Sequence, residues 1–479
     1  MNYSMIIFIL GHLLRYEALF MLLPTVTGFI YGESEAYAFL GISLLAFLIG
    51  TIMTCKHPKT KQLYTRDGSV TVALGWIVLS IFGALPLTFS GDIPFYVDAL
   101  FETISGFTTT GASILSDVEA LSHASLIWRS FTHWVGGMGV FVFILSLLPM
   151  ISGSTMQLMK AESPGPSVDK FVPKVKDTAR LLYKIYIVIT AIQIIVLLLA
   201  RMPLFDTLTL TFGTVGTGGF GVKNDSLASY TSMQQNIITF FMIISGINYT
   251  FYFLIISKKF KDAFHLEEIR WYLGLIFTAV FLITLNIFHL YGSLGEAVKH
   301  AFFQVGSIIT TTGYSSTDFN LWPETSKTII IILMIIGACA GSTAGGFKIS
   351  RMLILLKSIK TELSIMIHPR EIKKIRMDGH VVKPEILRTA HVYLVIYWTF
   401  FLISILLISV DNFDFTTNFT AVAATFNNIG PGLAGVGPMS NFCSYSIFSK
   451  FVLMLGMLIG RLELYPIMLL LLPTTWKRK

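Results

Sequence analysis

The stretch Ile308-Ile309-Thr310-Thr311-Thr312-Gly313-Tyr314-Ser315 is a polar turn that contains a glycine and lies between two long apolar runs. Three similar strings occur elsewhere in the 479 residues, and all four lie roughly 100 residues apart at the same point of similar hydropathy profiles. The strings align on Gly111, Gly218, Gly313 and Gly430. The sequence therefore predicts a fourfold internal repeat, and this repeat decides the fold.

The composition places the chain in a membrane. Hydrophobic residues make up 54% of it and charged residues only 13%, whereas soluble proteins carry about 25% charged residues. The first apolar stretch is interrupted by Arg15-Tyr16-Glu17 and lacks a basic start and a cleavage site, so it is interpreted as a retained transmembrane helix. The three cysteines show neither a disulfide pattern nor metal-ligand spacing.

The basic residues are unevenly distributed. Most of the 35 lie in segments 54–70, 151–184, 258–270, 348–388 and 476–479, which alternate with acidic, lysine-poor segments. This is the positive-inside pattern of a polytopic membrane protein, and it places both termini in the cytoplasm. The net charge of +8 therefore marks cytoplasmic loops and gives no indication of nucleic-acid binding.

Five segments are predicted. Residues 1–68 form a two-helix hairpin with spans at 5–30 and 36–53, and the four repeats occupy 69–175, 176–265, 266–385 and 386–479. Each repeat has a first span, a half-length helix, the polar turn and a second span. The first spans are expected at 70–89, 181–199, 271–290 and 392–410. The second spans are expected at 127–150, 236–256, from 328 onward and at 447–472. The fold class is an all-α polytopic membrane protein with ten spanning helices.

The half helices, at 95–109, 203–213, 293–309 and 416–426, are too short to cross about 30 Å of hydrocarbon. The turns that follow expose backbone, which survives at membrane depth only where it lines water or is buried in protein. We therefore expect re-entrant pore helices, each followed by a filter strand. An acidic residue near each start can cap the helix or attract cations. These residues are Asp98, Asp206, Glu296 and Asp414.

Four such strands around one axis would form rings of backbone carbonyls, which replace the hydration shell of a monovalent cation such as potassium. Glycine is expected because a Cβ would forbid the required backbone angles. Four unrelated loops are the alternative, since glycine is common in loops. The predicted potassium-binding residues are Thr109, Thr110, Gly111, Gly216, Thr217, Gly218, Thr311, Thr312, Gly313, Asn428, Ile429 and Gly430.

The strings TTTGAS, TGGFG, TTTGYSS and NNIGPGLAGVGP resemble the filters of the Trk/Ktr/HKT superfamily of potassium transporters over essentially the whole chain. The resemblance implies potassium uptake across a bacterial inner membrane, no organic cofactor, a homodimer and a TrkA-like cytosolic nucleotide-binding subunit. Gly216 departs from the pattern, where a serine or similar residue is expected, and this departure would loosen the second strand.

A glycine-rich break, residues 337–348, interrupts the second span of the third repeat. It is superficially similar to a Walker A motif, but Phe347 separates Gly346 from Lys348 and no strand precedes it, so nucleotide binding there is rejected. The resemblance implies a gating loop under the filter, with glycines that serve packing as the alternative. The predicted gating residues are Gly341, Ser342, Thr343, Gly345, Gly346, Lys348 and Arg461.

Arg461 lies inside the last predicted span, where a charge is costly and usually faces a cavity or a partner. The resemblance places it beside the gating loop. The structural alternative is a pair with Glu463 or with carbonyls at a helix end. Arg15 and Glu17 are interpreted as an intramembrane pair. The basic residues between 348 and 388 offer a docking site for the partner subunit or a contact with anionic lipid.

Three other functions are less consistent with the sequence. A sodium-selective or sodium-coupled relative is expected to have a serine in place of a filter glycine, and none appears. A membrane enzyme would need intramembrane catalytic acids or His/Cys clusters. A structural scaffold would not need four polar re-entrant turns. Whether uptake is channel-like or a proton-coupled symport stays open from the sequence.

Overall fold

The computed structural model describes residues 1–58, 60, 63–139, 175–370 and 373–476, with only the backbone for 175–179. Within these ranges helices account for most of the chain and strands for one short hairpin, which confirms the all-α class. Parts of three predicted segments lie outside the described residues: 140–150 of the first repeat's second span, 151–174 of the basic segment 151–184, and 477–479 of the tail.

The first two apolar stretches form a helical hairpin. Helices α1 (Tyr3–Phe20) and α2 (Leu22–Tyr31) together make the first apolar span, and α3 (Ala36–Thr54) returns beside them. A Cβ at Gly50 would lie only 2.6 Å from the carbonyl oxygen of Gly11, so these two glycines let α1 and α3 approach closely.

The predicted pair of Arg15 and Glu17 is wrong. Residues two positions apart on a helix do not face each other. Arg15 lies over the ring of Phe47, with 5.3 Å between guanidinium and ring centroid. The Glu17 carboxylate is buried and has no hydrogen-bond partner among the described residues.

Each repeat begins with a long helix and continues with a half helix. The long helices are α4 (Thr65–Phe89), α7 (Val175–Leu199), α12 (Glu267–Ile287) and α16 (Pro384–Ile408). The half helices are α5 (Tyr96–Phe107), α8 (Leu204–Val215), α13 (Leu294–Ile309) and α17 (Phe415–Phe426). The half helices have 12 to 16 residues, so at about 1.5 Å per residue none reaches across about 30 Å of hydrocarbon.

The second helices of the repeats are shorter than predicted. They are α6 (His123–Gly137), the pair α9 (Ser232–Ser245) and α10 (Tyr249–Ile256), α14 (Glu324–Ile336), and the pair α18 (Ile447–Arg461) and α19 (Tyr465–Leu471). Within the described residues, six helices are long and apolar enough to span a membrane, or seven if α9 and α10 count as one span.

Three second spans are broken, and only the break in the third repeat was predicted. In the second repeat the axis turns by 91° between α9 and α10. In the fourth repeat α18 ends at Arg461, and Glu463 and Leu464 adopt positive φ before α19 begins. The predicted second spans over 236–256 and 447–472 therefore each contain a break that the sequence does not indicate. Apolar composition alone predicts a span but gives no indication of a break inside it.

The basic segments, which are predicted to be cytoplasmic, contain α11 (Phe260–His265), α15 (Ile349–Ile367) and a small hairpin of strands β1 (Arg376–Met377) and β2 (His380–Val381). A short helix, α20 (Pro473–Trp476), ends the described chain. Lys357 of α15 pairs with Glu267 at the start of α12, which connects the first and last helices of the third repeat.

The acidic residues near the half-helix starts have different partners. Asp414 caps α17 by accepting a hydrogen bond from the Thr417 amide at 3.0 Å, and the bonds from Thr417 hold the pKa of Asp414 below its usual value. Asp98 pairs with Lys450, Asp206 accepts from the Tyr230 hydroxyl, and Glu296 pairs with Lys299. The prediction of capping is therefore right for Asp414 alone, and nearby lysines offset the charges of Asp98 and Glu296.

Candidate functional site

The four half helices end in the same way. The second residue after each helix adopts a left-handed φ although it is not glycine, which is uncommon for residues with a Cβ. These residues are Thr109 (φ 56°), Thr217 (φ 55°), Thr311 (φ 55°) and Asn428 (φ 55°). Because the same rare conformation recurs after all four half helices, the four turns are structurally equivalent.

A glycine with positive φ follows two residues later in every turn. These glycines are Gly111 (φ 77°), Gly219 (φ 86°), Gly313 (φ 85°) and Gly430 (φ 100°). The alignment of Gly218 with the other three glycines is therefore wrong by one residue. Gly218 and Gly219 are consecutive, and only the backbone conformation shows that Gly219 occupies the equivalent position.

The four turns contact one another in a closed ring. At each of these glycines an added Cβ would meet the backbone carbonyl of the residue that precedes the equivalent glycine of another turn. The contacts run from Gly111 to Gly218, from Gly219 to Thr312, from Gly313 to Ile429 and from Gly430 to Thr110. The order first, second, third, fourth and back to first means that the turns surround one axis.

The carbonyl oxygens of this ring are available to a ligand. Within the described part of the chain, no backbone hydrogen bond ends on an oxygen of residues 109–111, 217–219, 311–313 or 428–430. Buried carbonyls are nearly always paired. Unpaired carbonyls in a buried ring are therefore suited to replace the hydration shell of a cation.

The predicted filter residues of the first, third and fourth strings lie on this ring. In the second string the equivalent set is Thr217, Gly218 and Gly219, and Gly216 is the residue that caps α8. The prediction that Gly216 loosens the strand is not supported, because the backbone carbonyl of His133 packs where its side chain would be. Packing is therefore the reason for a glycine at 216.

The break in the third repeat lies directly beside the ring. Helix α14 ends at Ile336, and residues 337–348 form a loop before α15. The amide of Gly345 donates a hydrogen bond to the hydroxyl of Thr311 at 2.7 Å. A Cβ at Gly345 would meet the carbonyl of Asn427, at the end of the fourth half helix. The loop therefore contacts two of the four turns.

The loop and the break in the second repeat form hydrogen bonds with each other's backbone groups. Cys339 donates its amide to the carbonyl of Gly246 at 3.2 Å, and Tyr249 donates to the carbonyl of Gly341 at 3.1 Å. The hydroxyl of Thr343 donates to the carbonyl of Ser245 at 3.2 Å. Broken helices at membrane depth need such partners, so the bend between α9 and α10 is explained by the loop that it holds.

Glu268, in the first turn of α12, was missed by the sequence analysis. Its buried carboxylate accepts hydrogen bonds from the amide of Ala340 at 2.7 Å, the amide of Ser350 at 3.1 Å and the side chain of Asn248 at 3.3 Å. It therefore fixes both ends of the loop and the neighbouring break. No pattern in the sequence distinguishes it from the adjacent Glu267.

Arg461 reaches the loop, as predicted. Its guanidinium donates to the carbonyl of Thr343 at 2.7 Å and to the carbonyls of Gly136 and Gly137 at 2.5 and 2.6 Å. The two glycines lie at the end of α6, so both predicted environments, loop carbonyls and helix-end carbonyls, occur together. The alternative pair with Glu463 is wrong, because Glu463 binds Arg351.

The remaining predicted gating residues also lie in this loop. Lys348 is buried with φ 81°, and its ammonium donates to the carbonyl of Ala344. The hydroxyl of Ser342 donates to the carbonyl of Cys339 at 2.7 Å. Gly341 and Gly346 have positive φ. The conformation of the loop is therefore held by hydrogen bonds within it as well as by hydrogen bonds to neighbouring segments.

A ring of unpaired carbonyls beside a polar loop is the arrangement expected of a pore-loop cation transporter. The chain belongs to the TrkH family of cation transport proteins, which matches residues 36–476. It is a multi-pass membrane protein, and its family is one of transporters and not of enzymes.

Curated relatives match over nearly their full length. The chain is 36% identical to the Trk system potassium uptake protein TrkH of Escherichia coli K12, over 95% of this chain and 96% of that protein. It is 32% identical to TrkG of the same organism, over 98% and 97%. The crystal structure of the potassium transporter TrkH from Vibrio parahaemolyticus superposes with a TM-score of 0.89 at 30% identity and covers all of both chains.

Proposed function

We propose that the chain takes up potassium across the bacterial inner membrane through the carbonyl ring of its four turns. The observation that carries the proposal is the closed ring, in which the carbonyls of Thr110, Gly218, Thr312 and Ile429 each contact the glycine of another turn. Potassium is proposed as the ion because the relatives are named potassium uptake proteins. Potassium here is the substrate and not a resident cofactor.

Ion selection follows from the backbone. Each half helix directs the partial negative charge of its C-terminal end toward the ring, and the carbonyls replace the water that an entering ion loses. The left-handed glycines let these carbonyls adopt angles that a Cβ would forbid. Sodium is smaller and more strongly hydrated, so its dehydration on entering such a ring would cost more free energy than that of potassium.

The loop 337–348 is the proposed gate. It is bonded to Thr311 of the third turn, to Glu268 and to Arg461, so any movement of the loop changes contacts with the ring itself. The positive charge of Arg461 adds a barrier to cations. Removing residues 341–344 should raise potassium flux into proteoliposomes, and unchanged flux from folded protein would count against the gate.

A TrkA-like cytosolic nucleotide-binding subunit is the proposed regulator. Three of the basic residues counted for its docking site are not available, because Lys348 and Arg351 are buried and Lys357 pairs with Glu267. Six exposed residues remain for an acidic partner: Lys360, Arg370, Lys374, Arg376, Lys383 and Arg388. Lys373 is also exposed, and its ammonium donates to the hydroxyl of Ser364 at 2.6 Å. Anionic lipid is the alternative ligand for them.

Three further properties are proposed from the resemblance: a homodimer, cytoplasmic termini and transport that is either channel-like or coupled as a symport. Cross-linking in membranes tests the dimer. Flux measured at several proton gradients separates a channel from a proton symport, because only the symport should respond to the gradient at constant potassium.

The deciding experiment is growth of a strain that lacks potassium uptake. The wild-type chain, expressed with and without a TrkA-like subunit, should restore growth at low potassium. Uptake should persist in excess sodium and be competed by rubidium. Sodium uptake in place of potassium uptake would favour the sodium-selective alternative and overturn the proposal.

A further inference from the structure

The second turn lacks side chains that two other turns share. In the first turn the hydroxyls of Thr108 and Thr110 lie 2.8 Å apart and bond to each other. In the third turn the hydroxyls of Thr310 and Thr312 do the same at 2.8 Å. The equivalent positions of the second turn are both glycine. Gly216 and Gly218 therefore leave the back of this strand without its own support.

His133 of α6 fills the space behind these glycines. A Cβ at Gly218 would fall on the imidazole atoms Cγ, Nδ1 and Cδ2 of His133. A Cβ at Gly216 would instead meet the backbone of His133. The ring of His133 is fully buried and lies 4.3 Å from the ring of Phe220, which follows the second turn. One residue of the first repeat thus packs against the whole second strand.

The hydrogen bonds of His133 connect the first two repeats. Its Nδ1 lies 2.8 Å from the carbonyl oxygen of Gly106, in the first half helix, and its Nε2 lies 3.3 Å from the amide of Phe220. A carbonyl can only accept and an amide N–H can only donate. The imidazole is therefore the neutral tautomer with its hydrogen on Nδ1.

Other residues on the face of α6 that carries His133 also contact the first half helix and the second turn. Gly136 packs against the carbonyl of Phe107 at the end of the first half helix, and Gly137 packs against Gly216. Arg129 pairs with the buried Glu102 of the first half helix, and its guanidinium lies 4.1 Å from the ring centroid of Phe220. These residues recur at helical spacing, so one face of α6 contacts the first and second turns together.

We propose that His133 is a positioning residue for the second filter strand, where its ring replaces the threonine pair of the first and third turns. The inference rests on the proposed filter. Glycine at 218 is required by the imidazole and not by backbone conformation, since Gly219 has a left-handed φ and Gly218 does not. By holding the amide of Phe220, the ring fixes the carbonyls of residues 217–219 toward the axis.

The test is a rescue experiment in the full-length protein. Gly218→Ala should lower the preference of uptake for potassium over sodium by about tenfold, because the new methyl group displaces the imidazole. His133→Ala alone should lower it by about threefold, since the strand loses its support. The double variant His133→Ala/Gly218→Ala should return to the level of His133→Ala.

Gly216→Ala is the matched control, because its methyl group would meet the backbone of His133 and not its ring. His133→Ala should not rescue it. If Gly218→Ala fails to fold, recovery of monodisperse protein in the double variant is the readout. Wild-type selectivity in Gly218→Ala, or equal rescue of both glycine variants, would overturn the inference. Absence of potassium uptake by the wild type would overturn the proposed function instead.

Discussion

The glycines of the four turns differ in what they require. Gly111, Gly219, Gly313 and Gly430 combine a left-handed φ with a carbonyl at the place of a Cβ. Substitution there is opposed by two independent effects. At Gly218 the three nearest atoms all belong to the ring of His133 and φ is not left-handed, and at Gly274 of α12 nothing lies within 4 Å. These six glycines therefore fall into three groups: backbone strain combined with a carbonyl contact, contact with a side chain, and no contact at all.

We expect Gly313→Ala to reduce the preference for potassium over sodium by at least about tenfold, because its methyl group meets the carbonyl of Ile429 and the left-handed backbone costs about 1 kcal/mol or more. The measurement is uptake of rubidium in the presence of sodium. Gly274→Ala is the control and should behave as wild type. Unchanged selectivity of Gly313→Ala would contradict the assignment of the third turn.

Arg461 determines how firmly the loop stays closed. Its guanidinium cannot lose its charge and binds three carbonyls, one of them on Thr343. Arg461→Ala should loosen the closed state by about 1–3 kcal/mol and leak potassium without a partner subunit. Arg461→Lys should leak less, because a charge remains. Proteoliposome flux distinguishes the two, and an equal leak from both folded variants would show that a positive charge alone does not keep the loop closed.

At the scale of elements, the broken helices depend on each other. The bend between α9 and α10 and the loop after α14 exchange backbone hydrogen bonds, and Glu268 at the start of α12 binds both. An isolated break would leave unpaired groups at membrane depth, which is costly. The second spans of two repeats therefore form one polar unit beneath the ring.

Glu268→Gln tests this unit. The amide keeps one acceptor oxygen but loses the charge that strengthens the bonds from Ala340 and Ser350, a loss of about 1–3 kcal/mol. We expect higher potassium flux without a partner subunit and a lower melting temperature. Glu385→Gln, an exposed change of the same kind at the start of α16, should alter neither. If Glu268→Gln has the potassium flux and the melting temperature of the wild type, Glu268 does not hold the loop closed.

The sequence predicted these elements unequally well. Long apolar runs and the recurring turn identify the first spans and the half helices, because both depend on local composition. The glycine of the second turn was placed one residue early, since Gly218 and Gly219 cannot be told apart without the backbone. The break at Leu462–Leu464 and the role of Glu268 depend on contacts between distant segments, which hydropathy does not record.

At the scale of the whole molecule, closure of the ring is the property that no single repeat contains. Each turn leaves its carbonyls unpaired, and each glycine is confined by another turn. Side chains between repeats add to this closure: Asn428 of the fourth turn donates to the hydroxyl of Thr110 in the first at 2.9 Å. The four unequal strings therefore produce one site, whose sides differ because each is supported by different neighbours.

The exposed basic surface is the proposed contact with another molecule, the TrkA-like subunit. We expect Lys373→Glu/Lys374→Glu to weaken binding of a TrkA-like subunit by at least about tenfold, or about 1.4 kcal/mol, because both side chains are exposed beside the β1–β2 hairpin. Binding of the wild type should also fall as salt screens the charges. The measurement is co-purification from detergent at increasing ionic strength.

The control for this double variant is Arg201→Glu/Lys327→Glu, which makes the same charge change on the predicted outer side and should bind the subunit normally. Selective loss in the first variant places the partner on the basic surface. If both variants bind the subunit equally but the first alone loses binding to vesicles with anionic lipid, the surface contacts the membrane. The docking proposal would then be wrong, because the charges that it requires would already be occupied by lipid headgroups.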